Sequence, residues 1–157
     1  MDTNKSRAVA RRILEACAEH GDSSVTPMQL IKLTYIAHGY MLGVFGEPLL
    51  DEPVEAWQYG PVVRSVYDAV KKYQSSPVKE VQVDHEVEFS EREQKVIGVV
   101  AKKYCGFSGV VLSAATHQPG SPWRITWDEY GRNATISNDI IEQFYAKLVR
   151  QSKHSAL

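Results

Sequence analysis

TPMQLIKLTYIAHGYMLG, residues 26–43, decides how this chain folds. Thr26 is a good N-cap, Pro27 suits the first helical position, and Gln29 three residues on completes a capping box. The helix so opened is apolar on several faces. Leu30, Leu33, Ala37 and Tyr40 make one row at helical spacing, and Ile31, Tyr35 and Leu42 make another. A surface helix keeps a single apolar stripe, so a helix apolar nearly all round belongs inside the domain. A third row, Lys32, Ile36, Gly39 and Gly43, ends in two glycines. Glycine costs a helix interior about 1 kcal/mol relative to alanine, so the pair implies close backbone packing there.

Working outward, residues 7–20 read as a helix with Ala10, Ile13, Leu14 and Cys17 inward and Gly21 as its stop. Arg7, Arg11 and Arg12 collect on its outer face near Lys5. VEAWQY, residues 54–59, is short and rich in β-formers. Gly60-Pro61 ends it, and a helix is expected to open at Pro61 and carry Val62, Val66, Val70 and Tyr73 on one face. Over residues 81–89, Val81, Val83, His85, Val87 and Phe89 alternate with Gln82, Asp84, Glu86 and Glu88, the pattern of a half-buried strand with His85 on its apolar side. Ser90 and Glu93 form a second capping box. Ser108 caps a shorter helix through Val111, Leu112 and Ala115, and Trp123 to Tyr130 makes one or two turns. Ser137 caps a last helix whose face is Ile140, Ile141, Phe144, Tyr145, Leu148 and Val149. The expected fold is mainly α: one compact domain over residues 1–150, five or six helices around the central one, a small two-stranded β element near 54–59 and 81–89, and a frayed tail at 151–157.

The totals exclude several classes. A length of 157 residues suffices for one well-formed core. Lys and Arg number 18 against 19 Asp and Glu, a balance that argues against a nucleic-acid partner despite the basic face at 7–12. No run approaches the ~20 apolar residues of a membrane span, and the N-terminus lacks a signal-peptide core, so a cytoplasmic protein with reduced, buried Cys17 and Cys105 is expected. No phosphate-cradling loop, dinucleotide fingerprint or nucleophile elbow is present. Cys17 and His20 have CxxH spacing without the second pair a tetrahedral metal site needs, and Cys105 with His117 lacks a third, orienting group. The reading is therefore a protein that is not an enzyme and uses no metal or cofactor.

Two places exceed the background. In Trp57-Gln58-Tyr59-Gly60-Pro61-Val62, two large aromatics meet a Gly-Pro turn, and Trp and Tyr dominate binding hot spots. Core packing is the competing reading, the stronger of the two for Trp57 and level with binding for Tyr59. The other place is His117-Gln118-Pro119-Gly120-Ser121-Pro122-Trp123, where Trp123 either joins a surface or plugs the core beneath the loop. Candidate partner-binding residues are Trp57, Tyr59, Arg64, Tyr67, His117 and Trp123.

The order of these signals resembles the Panacea domain, an antitoxin domain also met in phage-associated GepA-type proteins and SocA-like proteolytic adaptors. The matching pieces are MQLIKLTYIAHGYMLGVFGEPLLDEPVEAWQYGPVVRSVYDAVKKY at 28–73, His117 with Ser121-Pro122-Trp123, and ISNDIIEQFY at 136–145. Arg64-Ser65 follows YGPVV where other members vary, and residues 74–92 carry no family signature. The resemblance implies a mostly helical domain with a small β element that binds and neutralises a cognate toxin encoded nearby. A SocA-like variant implies, as one alternative, an adaptor handing the toxin to a protease. The other alternative, a DNA-binding regulator of the operon, rests on the basic helix with Arg7, Arg11 and Arg12 and has the charge balance against it.

Overall fold

The computed structural model describes residues 2–155. The central helix, α2, spans Pro27–Phe45. Its box is closed: the Thr26 N–H donates to Gln29 Oε1 at 2.7 Å and the Gln29 N–H donates to Thr26 Oγ1 at 3.4 Å. Gly46, at φ 70°, ends it in the left-handed conformation that glycine adopts without strain. From Pro27 to Leu42 every residue but Met28 is buried. The cover comes from α1 (Thr3–Glu19), α4 (Glu91–Tyr104), α5 (Gly109–His117) and α7 (Asn138–Ser155). α7 lies along the glycine row, with the Tyr145 ring over Gly39 and the Tyr145–Ala146 backbone against Gly43.

The remaining elements are β1 (Val54–Trp57), β2 (Gly60–Val62), α3 (Arg64–Val70), α6 (Pro122–Tyr130) and β3 (Ala134–Ile136). The domain is mainly helical, as expected, with seven α-helices among the described residues. Ser121 caps α6 through the Arg124 N–H and Pro122 sits at its start, which turns the expected one or two turns into a full helix. The β element differs from expectation. Its three antiparallel strands run in the order β2-β1-β3, with Trp57 opposite Gly60 and Val54 opposite Ile136. Pro61 lies within β2 instead of opening a helix, so α3 begins at Arg64. α7 continues to Ser155, past residue 150 where the folded part was expected to end; residues 156 and 157 lie outside the described residues.

Residues 81–89 form no strand. The alternation is real, since Val81 is buried and Val83, Val87 and Phe89 are half-buried while the residues between are exposed. The segment lies along α1, whose side chains take the hydrogen bonds a neighbouring strand would take. The Asp84 N–H donates to Asn4 Oδ1 at 2.6 Å, and Asn4 Nδ2 donates to the His85 carbonyl at 3.1 Å. His85 is exposed, against the expectation of a buried imidazole. The acidic positions pair with the basic face of α1: Arg7 with Asp84 at 3.0 Å and Arg11 with Glu86 at 2.6 Å. Arg12 meets Glu19 at 3.1 Å, and Lys5 meets Glu93 at 2.7 Å. The cluster that suggested nucleic acid is thus neutralised within the fold. Cys17 and Cys105 are free and buried, and burial, with Cys105 beside it, pushes the Cys17 thiol well up and keeps it protonated.

His38, 1% exposed, fastens the loop after α2. Its Nδ1 accepts from the Leu49 and Leu50 N–H groups, both at 3.2 Å, which leaves the proton on Nε2 to be donated to Asn138 Oδ1 at 3.0 Å. Burial lowers its pKa below 6.5, and the Asn138 bond opposes this only in part. The folded state therefore binds fewer protons here than the unfolded chain. The His38 contribution is complete above about pH 6.5 and declines as the pH falls through the lowered value. Urea melts at pH 7.5 and pH 5 should show a loss on acidification that is smaller in His38→Gln; an equal loss in both proteins would remove His38 as the cause.

Candidate functional site

Three landmarks far apart in the chain meet at one turn, the β1–β2 connection at residues 57–61. Gly60 makes the turn possible at φ 121°, a conformation that L side chains rarely adopt. A Cβ there would sit 3.0 Å from Lys32 Nζ and 3.3 Å from His117 Cε1, so the turn rests directly on α2 and on the end of α5. Lys32 Nζ donates to the Pro61 carbonyl at 3.0 Å. Ser113 Oγ donates to the Tyr59 carbonyl at 2.9 Å. The His117 ring lies between two carbonyls, with Nδ1 2.6 Å from Ser113 O and Nε2 3.4 Å from Gln58 O. Trp123, at the start of α6, donates its indole N–H to the Trp57 carbonyl at 2.6 Å and packs edge-on to His117 at 4.3 Å between centroids. Nearly every carbonyl of the turn is thereby held by a neighbouring element, and its shape is set before any partner arrives.

The face so presented carries four of the six candidate residues. Arg64 lies 5.1 Å above the Trp57 ring, Trp57 meets Tyr67 edge-on at 4.9 Å, and the Lys71 ammonium lies 5.7 Å from the Tyr67 centroid. Glu55 ties the row together. It accepts from Arg64 Nε and Nη2 at 3.2 and 3.0 Å and from Trp57 Nε1 at 3.0 Å. Burial pushes the Glu55 carboxyl up, but the bonds from Arg64 and Trp57 outweigh it and hold the pKa below the usual value. Tyr59 stands at the tip, 66% exposed, and Arg64 is exposed, while Trp57 and Tyr67 are half-buried. Val62, Val63 and Val66 pack inward beneath them.

His117 and Trp123 belong to the brace under this face. Trp123 is 4% exposed and stacks on Trp127 at 5.2 Å, so any part it has in binding is exerted through the turn above it. Two features went unread in the sequence. Lys32 is 3% exposed, a depth that its place on the helix does not by itself reveal. On α5 the inward residues are Leu112 and Thr116, and Val111 and Val110 point outward at 51% and 75% exposure. Among the described residues, no group of three or more His, Cys, Asp or Glu is placed to hold a metal ion, and no single helix is long and apolar enough to cross a membrane.

The geometry is that of a mainly helical domain organised around a braced, aromatic turn. This chain belongs to the Panacea-domain antitoxin family: the family model described as Antitoxin SocA-like, Panacea domain matches residues 30–124, more than half of the chain. A curated relative, Antitoxin SocA of Caulobacter vibrioides (strain NA1000 / CB15N), is 29% identical over 160 residues, covering 96% of this chain and 85% of the relative. No solved structure matches.

Proposed function

We propose that this protein neutralises a cognate toxin in the cytoplasm by stoichiometric binding, without catalysis, and that the face around the Tyr59 turn makes the contact. Membership of an antitoxin family supports a toxin partner in general. The observation that carries the particular surface is the braced turn itself. Rigid aromatic and guanidinium groups on a pre-set frame lose little entropy on binding, which is the chemistry of hot spots. In this reading Tyr59, Arg64 and Tyr67 touch the partner, Trp57 backs them, and His117 and Trp123 hold the turn in place.

The test is co-expression with the product of the adjacent reading frame, followed by growth assay and pull-down. A single hot-spot truncation costs at least about 2 kcal/mol, so Tyr59→Ala, Arg64→Ala and Tyr67→Ala combined should weaken binding by roughly thirtyfold or more and abolish growth rescue. Rescue and binding that survive the triple change in a cooperatively folding variant would rule out this face. A neighbouring product that is neither toxic nor bound would end the antitoxin reading.

A further inference from the structure

Beside the turn lies a half-open cavity of 520 Å³, within the range of ligand-sized sites. Its charged lining has one sign. Lys32, Lys71 and Arg132 face it, and no aspartate or glutamate does. Lys71 pairs with Asp68 at 3.3 Å on the exposed surface of α3, a contact worth little in water. Lys32 is the unusual member. It is 3% exposed, forms no ion pair among the described residues, and uses one of its three N–H donors, on the Pro61 carbonyl. A buried ammonium without a counterion is costly, and proteins ordinarily pair it or leave it in water. The contrast within the molecule is plain. A larger groove of 620 Å³ near Arg7, Glu52 and Arg64 carries both signs, and there Arg64 is already paired with Glu55 and Arg7 with Asp84.

Part of the lining is apolar: Trp57, Tyr59 and Met28, the last 42% exposed, border the cavity beside the polar Gln58, Gln74 and Asn133. Met28 packs on Gly109, and from there the exposed Val110 and Val111 of α5 extend the apolar surface. Apolar surface of this kind beside a positive socket fits a protein segment better than a small free anion, which would leave it uncovered.

We infer that this cavity receives the carboxylate of a glutamate or aspartate side chain carried on an apolar-flanked segment of the partner protein, with the Lys32 ammonium as its counterion. The inference rests on the toxin-binding reading for the identity of that partner. The charge complementarity itself is read from Lys32, Arg132 and the acid-free lining. Burial without a partner also lowers the Lys32 pKa to about 8, so an arriving carboxylate restores the pairing that the free protein lacks.

The experiment is an NMR titration of the whole protein, following the Lys32 side-chain methylene next to the ammonium and the Trp57 indole N–H. The probes are the capped peptide Ac-Leu-Glu-Leu-NH2, its glutamine counterpart and sodium acetate. The glutamate peptide should shift both signals with a saturating curve and bind at least tenfold more tightly than the glutamine peptide. In Lys32→Met that discrimination should vanish. Equal binding of the two peptides, or discrimination that persists in Lys32→Met, would overturn the socket. Acetate binding as tightly as the glutamate peptide would overturn the assignment to a protein segment. None of these results requires a toxin. Conversely, toxin binding lost in the Tyr59, Arg64 and Tyr67 triple variant but unchanged in Lys32→Met would leave the antitoxin reading standing and overturn the socket.

Discussion

Gly43→Ala should destabilise the protein by about 2–3 kcal/mol, the scale of overpacking where two helix backbones are in contact. A Cβ at Gly43 would sit 2.7 Å from the Ala146 nitrogen and 2.7 Å from the Tyr145 carbonyl carbon. Both are backbone atoms of α7, so no side chain can swing aside and the two helices must separate. Alanine's better helix propensity returns about 1 kcal/mol at most and does not offset the separation. In a protein of this size the melting temperature should fall by about 4–12 °C. Gly98→Ala is the matched control. Gly98 is exposed in the middle of α4 with nothing within 4 Å of a Cβ, so that change should stabilise by roughly 0.5–1 kcal/mol. If both changes shift the urea midpoint in the same direction, the contact between α2 and α7 is not what the glycines serve.

The second large effect is the response of Lys32→Met to pH. In the wild type the folded-state pKa of Lys32 is lowered by burial from 10.5 to about 8. Below pH 8 the ammonium is charged in both states, and the folded state bears a penalty of roughly 3 kcal/mol for burying it. Stability rises as the pH climbs from 8 to 10.5, because there the unfolded chain binds the extra proton. Methionine removes the penalty at every pH but leaves the Pro61 carbonyl without its donor, at about 1–2 kcal/mol. At pH 7 the variant should therefore be more stable than the wild type by about 1–2 kcal/mol, and near pH 11 it should be less stable by a similar amount. Taking the difference between the two proteins cancels the titration of every other group. A difference independent of pH would show that Lys32 is solvated in the folded protein. A residue that weakens the fold where it stands, beside a presented surface, is the trade expected of a functional position.

Much of this architecture was legible in residues 26–43, because its signals are local. A capping box, a proline at the first turn and an apolar pattern on several faces each act within a few residues, and the glycine row announced the helix that α7 presses against. The β element was harder to read. Val81 to Phe89 alternates identically whether the inner residues pack beside a strand or along α1, since burial sets the period and the hydrogen-bond partner does not. Ala134-Thr135-Ile136 is too short to show a period at all, and pairs only because Val54-Glu55-Ala56 is already in place. At the site, Tyr59 and Arg64 stand exposed where they were sought, whereas Trp123 is under the turn. The depth of Lys32 could not be read from spacing, because a lysine on an apolar helix ordinarily extends its ammonium back to water. Here the ammonium stops short against the Gly60-Pro61 backbone, donating to the Pro61 carbonyl at the wall of the cavity.

The pairing of α2 with α7 also sets a schedule. Gly43 and Ala146 lie ~100 residues apart, so at a synthesis rate of about 5–20 residues per second the apolar helix waits roughly 5–20 s before its cover is made. During that interval the glycine end of the row, Gly39 to Gly43, lacks the cover of α7 and stays open to whatever is nearby. Each new molecule thus passes through a fixed period of vulnerability whose length is set by translation speed. Slower ribosomes would lengthen that period and lower the yield of finished protein without any change in its final stability.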